Sequence, residues 1–231
     1  MGKIYQMGGC FMKTTYVNFV CTVLKKYENS VPIYSKNIAY LLADEYDLPQ
    51  EKADAATAVA IKRIIEKKDI PELRQYQKGI YYRAVNTPFG ERGINKEQLI
   101  ADKYLLPDNG YEAAYTMLHR MGLTTQMPGK RVLVTNVAKD GTRSDDKLGV
   151  TIKPPKVAIT KENKRYLQLL DILELMDRAP IDEENPYVLL AKHVKQYNLQ
   201  YELLLAIAAE YYTRNTVLLL GEIAKAGRSI L

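Results

Sequence analysis

The residues best suited to chemistry in this chain are basic side chains set along a run of small ones. Between Gln50 and Lys68, Lys52, Ala56, Val59 and Arg63 recur at helical spacing, with Ala55, Lys62 and Glu66 beside them. Small side chains let a helix backbone sit deep in a DNA major groove. There an Ala or Val methyl can touch a thymine methyl, and basic groups can reach phosphates or guanine edges. Directly after it, Leu73 to Ala84 carries Arg74, Gln77, Lys78 and Arg83 around Lys78-Gly79, a tight-turn signal between two strand-like runs. A hairpin in that place sets such groups on the phosphate backbone beside the groove. Lys36 and Asn37 open the preceding helix, where unpaired backbone N–H groups favour a phosphate. The candidate DNA-binding set is therefore Lys36, Asn37, Lys52, Ala56, Val59, Lys62, Arg63, Arg74 and Lys78. The plainer alternative is a solvated surface with ordinary Lys and Arg.

Other residue types offer less. Asp145-Asp146 invites a metal or nucleotidyltransferase reading, because phosphoryl transfer uses paired carboxylates to hold a divalent ion. Adjacent carboxylates in a turn-like segment diverge, so a solvated loop is the expectation. His119 and His193 are far apart, with no Cys or His at ligand spacing, so no metal site is expected. Gly110 precedes an expected helix, but no glycine-rich loop with a following Lys-Ser/Thr accompanies it. No catalytic residue and no cofactor is expected.

The elements that must position the basic residues follow from periodicity. A first helix spans Thr14 to Glu28, with Tyr16, Phe19, Val20, Val23 and Leu24 as its apolar stripe. A second starts at Ser35, a good N-cap residue, buries Ile38, Leu41 and Leu42, and ends at Asp47-Leu48-Pro49. A third runs from Gln50 to Lys68, with Asp54, Thr57, Ala58, Ile61, Ile64 and Ile65 facing the core. The hairpin completes a winged helix-turn-helix over residues 14–90, preceded by a flexible arm at 1–13. Asn86 to Gly90 reads as an exit loop.

Residues 91–231 read as a second domain, mixed α/β to about 160 and then helical. Expected pieces are a short helix at Lys96–Tyr104, a helix from Tyr111 to Met121 stopped by Gly122, a strand at Val132 to Thr135, a polar turn-like segment from Ala138 to Leu148, and a second strand within Gly149 to Ile159, interrupted by Pro154-Pro155. Helices follow at Lys161–Asp177, Pro186–Tyr197, Gln200–Tyr212 and Arg214–Ala226. The fold class is α+β, mostly helical.

Composition agrees with a polyanionic partner. The 231 residues carry a net charge of +6, and residues 1–92 hold 14 Lys and Arg against 10 Asp and Glu, so the basic excess is concentrated where the candidate set lies. Two cysteines, Cys10 and Cys21, make no disulfide framework. No run of 18 or more apolar residues suggests a membrane span, and no signal-peptide core is visible. A reduced, cytoplasmic location is the default expectation.

Three stretches together carry a family resemblance. They are Lys78-Gly79-Ile80-Tyr81-Tyr82-Arg83 after Ala60-Ile61-Lys62-Arg63-Ile64; Thr87-Pro88-Phe89-Gly90; and Gly110-Tyr111-Glu112-Ala113-Ala114 leading through Leu118 to Gly122-Leu123-Thr124-Thr125-Gln126-Met127-Pro128 and Val134-Thr135-Asn136. Over roughly residues 30–160 the chain resembles the AbiEi-type antitoxins of bacterial type IV toxin–antitoxin systems. The resemblance implies a winged-helix autorepressor that binds inverted repeats in its own promoter. It also implies an antagonist of a nucleotidyltransferase-like toxin that needs no tight complex with it. Thr124, Thr125 and Gln126 would be the exposed part of the third stretch. Lys68-Asp69 departs from the family, which often has glycine there. Two other classes stay open: an adaptor whose winged helix no longer binds DNA, and an enzyme acting on nucleotides through Asp145.

Overall fold

The computed structural model describes residues 15–228. The expected arm at 1–13, and Cys10 with it, lie outside them. The described chain is α+β, and about half of it is helical. It divides into two compact units, the first ending at Leu99 and the second beginning at Ile100. This division falls later than the expected boundary at residue 90. The intervening residues still belong to the first unit: Val85–Thr87 pairs with Gly90–Arg92 as a hairpin where an exit loop was expected, and the Asn95 N–H donates to the Ser30 carbonyl at 2.7 Å.

In the first unit, α1 (Tyr16–Lys26) starts at Thr15, whose hydroxyl accepts from the Asn18 N–H at 3.3 Å. Val20, Val23 and Leu24 are its buried stripe; Tyr16 is exposed. The two-residue strand β1 (Ile33–Tyr34) leads into α2 (Ser35–Tyr46). The expected Ser35 cap is not formed. Tyr34 holds the cap position, no side chain caps the helix, and the Ser35 N–H goes instead to the Gly79 carbonyl. Ile38, Ala39 and Leu42 are buried, while Leu41 is 48% exposed, contrary to expectation. Asp47 turns the chain in a left-handed conformation, and Pro49 precedes α3 (Gln50–Lys67).

The inner face of α3 is Ala53, Thr57, Ala60, Ile61 and Ile64. This is rotated from the expected stripe: Asp54 and Ala58 are exposed and Ile65 is half-buried. The reason is tertiary, since α3 packs against α1 as well as α2, and Ala53 and Ala60 let both approach. Lys68 ends α3 with φ +57, its N–H bonded to the Ile64 and Ile65 carbonyls. Strands β2 (Leu73–Gln77) and β3 (Ile80–Arg83) then form the hairpin around Lys78-Gly79, and β1 pairs antiparallel with β3, giving the strand order β1-β3-β2. The second hairpin is β4 (Val85–Thr87) and β5 (Gly90–Arg92), after which comes α4 (Lys96–Ile100).

The second unit is built on the sheet β6-β7-β9-β8, where β6 is Gly110–Ala113, β7 Arg131–Thr135, β8 Arg143–Asp145 and β9 Val150–Lys153. β7 and β9 are parallel; the outer pairs are antiparallel. The expected helix at Tyr111–Met121 is a strand for its first part, and only α5 (Ala114–Arg120) is helical, because Tyr111 and Ala113 are drawn into pairing with Val134 and Val132. Gly110 belongs to this strand. A Cβ there would overlap the Tyr104 carbonyl and stand 2.7 Å from that of Val134, so close backbone approach explains the glycine. Gly122, at φ +76, stops α5 as expected. Helices α6 (Lys164–Met176), α7 (Pro186–Gln196), α8 (Tyr201–Tyr211) and α9 (Arg214–Arg228) follow. Their core gathers Leu169, Leu170, Leu173, Leu190, Leu204, Leu220 and Ile223.

Candidate nucleic-acid interface

The sequence set Lys52, Val59, Lys62 and Arg63 against the core side of α3, and the structure exposes all four. Ala56 does not stand clear. It is half-buried against the first unit's core and joins Tyr16 and Val17 of α1, with Ala55, Val59 and Arg63, in lining a shallow groove. The outermost line of α3 is therefore Ala55, Val59 and Lys62, with Lys52 and Arg63 on one flank. Glu51 and Glu66 are exposed on the same helix, and Glu66 stands 3.8 Å from the Lys62 ammonium. Both side chains of that pair are more than half exposed, so it is weak and can open towards a phosphate.

The hairpin divides its basic groups by role. Lys78 is exposed at the two-residue turn, where Gly79 takes φ +79. Arg74 is occupied: its Nη2 meets Glu91 Oε2 of β5 at 2.8 Å, and its Nη1 donates to the Pro71 and Leu73 carbonyls at 2.6 and 3.2 Å. Arg83 is more firmly held. Its Nε and Nη2 donate to Glu72 at 3.0 and 2.6 Å, and its Nη1 to the Lys25 and Tyr27 carbonyls at 3.1 and 2.9 Å. Arg83 thus ties β3 to the end of α1 and is not a free backbone contact as expected. The Glu72 carboxyl is held below its usual range by its own backbone N–H and by Arg83.

Lys36 and Asn37 are exposed in the first turn of α2, and the Lys36 ammonium lies 5.8 Å from the Tyr40 ring centre. The Ser35 N–H donates to the Gly79 carbonyl at 2.9 Å, which puts the hairpin turn against that first turn. Lys36, Asn37 and Lys78 therefore form one basic corner. Together with the flank of α3, these cations can approach a polyanion without first breaking a strong internal bond.

The remaining candidates lie elsewhere. Asp145 accepts from Lys103 Nζ and the Tyr104 hydroxyl, both at 2.7 Å. Burial alone would raise its pKa, but these bonds outweigh it and leave the carboxyl below its usual range. Asp146 is exposed and turns to Ser144 and Lys130, so the two carboxylates do diverge. His193 is buried with its ring 4.6 Å from that of Tyr197, and burial, then Arg165, pushes its pKa down. Among the described residues, no group of three or more His, Cys, Asp or Glu comes together as a metal site.

Thr124 is buried, contrary to expectation, and Asp182 explains it. That carboxylate accepts from the Thr125 N–H and hydroxyl at 2.7 Å and from the Thr124 hydroxyl at 3.2 Å. Sequence reasoning also missed the polar centre at Asp171. Asp171 accepts from the Tyr111 and Tyr212 hydroxyls, each at 2.7 Å, and burial raises its pKa. These three residues are too widely separated in the chain for spacing to betray them.

No helix among the described residues is long and apolar enough to cross a membrane. No protein-family model matches the chain, and no curated protein matches it.

Proposed function

We propose that the first unit is a winged helix-turn-helix that binds double-stranded DNA, with α3 in the major groove and the β2–β3 turn on the backbone. The observation that carries this reading is the order α1-β1-α2-α3-β2-β3 with strands arranged β1-β3-β2, in a unit that exposes Ala55, Val59, Lys62 and Arg63 on α3 and Lys36, Asn37 and Lys78 at the start of α2 and the hairpin turn. Phosphate contacts supply affinity, and the small side chains of α3 admit the groove edges. On the resemblance to AbiEi-type antitoxins, the whole chain is a cytoplasmic autorepressor of its own promoter, acting at inverted repeats. It also antagonises a nucleotidyltransferase-like toxin without a stable complex. It is not an enzyme in this reading.

The test is a mobility shift on the DNA upstream of its own coding sequence, at two salt concentrations, with unrelated competitor DNA. Specific, salt-sensitive binding is expected, and it should be lost in Lys62→Ala/Arg63→Ala. Binding no tighter than to competitor would sink the repressor reading. The antitoxin half is tested by co-expression with the toxin encoded beside it, where growth should be rescued.

A second reading, a protein adaptor, is favoured by one observation. Phe89 is fully exposed at the turn of the β4–β5 hairpin, the hairpin whose Glu91 already holds Arg74. An adaptor would bind a partner through Phe89 and show no DNA shift.

A further inference from the structure

The second unit contains a cleft of about 380 Å³ between β7, the end of β9 and α6. It is lined by Asp171, both of whose oxygens accept from tyrosine hydroxyls. One side is closed by Lys156, which reaches Glu174 at 2.8 Å and lies 4.5 Å from the Tyr212 ring centre. Its walls include Val132, Val134 and the Pro154-Pro155 pair that ends β9. Two further cations line it, Lys153 and Arg178. Among the described residues, no carboxylate is bonded to either.

Three cations thus line the cleft against two carboxylates; Glu174 is matched to Lys156 and the Asp171 oxygens are engaged by tyrosine hydroxyls, so the cations open to a ligand are Lys153 and Arg178, beside an apolar wall. The volume is within the range of small-molecule sites, which combine apolar lining with few, well-placed polar groups. Arg178 follows α6 and would favour that helix end in any case; Lys153, at the end of a strand, has no such role.

We infer that this cleft binds a small organic anion, a carboxylate or phosphate head on an apolar or aromatic body. The head meets Lys153 and Arg178, and the body lies on Val132, Val134 and Pro154. The guanidinium fork suits either head. This site is independent of the DNA reading, since every residue named is in the second unit.

The full chain is titrated with phenyl phosphate and with benzoate, which share a body and differ in the head, by calorimetry and by amide NMR shifts. Saturable binding of one probe is expected, with shifts at β7 and α6, and the probe that binds identifies the head. Lys153→Ala and Arg178→Ala should each weaken it about tenfold, the loss of one charge-assisted bond, without altering the melting temperature. Saturation by neither probe overturns the inference. So does binding that is equally tight in both variants.

Discussion

The backbone N–H of Ser35 is bonded to the carbonyl of Gly79 at 2.9 Å. Through this bond the β2–β3 turn is fixed to the start of α2, and three candidate DNA contacts, Lys36, Asn37 and Lys78, share one corner. Gly79 sits at φ +79, and a Cβ there would stand 3.4 Å from the Ser35 hydroxyl. Gly79→Ala should therefore cost about 1–2 kcal/mol through the left-handed backbone alone. DNA affinity should fall further than that of Lys78→Ala, because the turn moves away from α2. Chemical denaturation and a mobility shift on the same samples check both.

The salt dependence of DNA binding separates free cations from occupied ones. If Lys36, Lys52, Lys62, Arg63 and Lys78 each meet a phosphate, the log–log slope should be about −4 to −5. Each substitution to Ala should flatten it by about one. Arg74→Ala should leave the slope unchanged and lower stability by about 1–2 kcal/mol, since it loses the pair with Glu91 and the bonds to the Pro71 and Leu73 carbonyls. A flattened slope in Arg74→Ala would place that residue on DNA after all.

Lys68 takes a left-handed conformation at the end of α3, which costs a non-glycine residue about 1–2 kcal/mol. Lys68→Gly relieves that strain, partly offset by glycine's greater freedom when unfolded. A net gain of about 0.5–1 kcal/mol is expected, read as a rise in denaturation midpoint with unchanged slope.

His193 makes the second unit acid-sensitive. Its pKa is lowered in the folded chain by burial and by Arg165, so the unfolded state takes up a proton first as pH falls below about 6.5. Stability contributed by neutral His193 is present above that pH and is lost as pH drops towards the folded value. Melting curves from pH 8 to pH 5 should show this fall, and His193→Phe should flatten it. An unaltered pH profile in that variant would assign the sensitivity to other groups.

The local elements were legible because their periodicity is strong: α1, α2, α3 and the turn at Lys78-Gly79 all stand where apolar spacing and glycine put them. The facing of α3 was not, since α1 covers part of what looked like its outer side, and Ala56 is claimed by that contact. Nor were the roles of Arg74 and Arg83, whose partners arrive from other segments: Glu91 from the next hairpin, and the Lys25 and Tyr27 carbonyls from the end of α1. β6 was hidden for a related reason. Gly110 to Ala113 has no strand composition of its own, and only the neighbouring edge of β7 selects the extended form over a helix. The candidate surface was thus readable as a list of basic residues, and the structure removes from that list those already bound.

The division after Leu99 also has a consequence in time. Lys36, Lys78 and the α3 face belong to the compact unit that ends at Leu99, and such a unit is expected to fold while the later residues are still being made. At synthesis rates of about 5–20 residues per second, the 132 residues that follow in a chain of 231 take roughly 7–26 s. Proteolysis of stalled nascent chains would reveal a protected first unit well before the second is complete. On that expectation the surface proposed to meet DNA would be ready while the second unit is still being made.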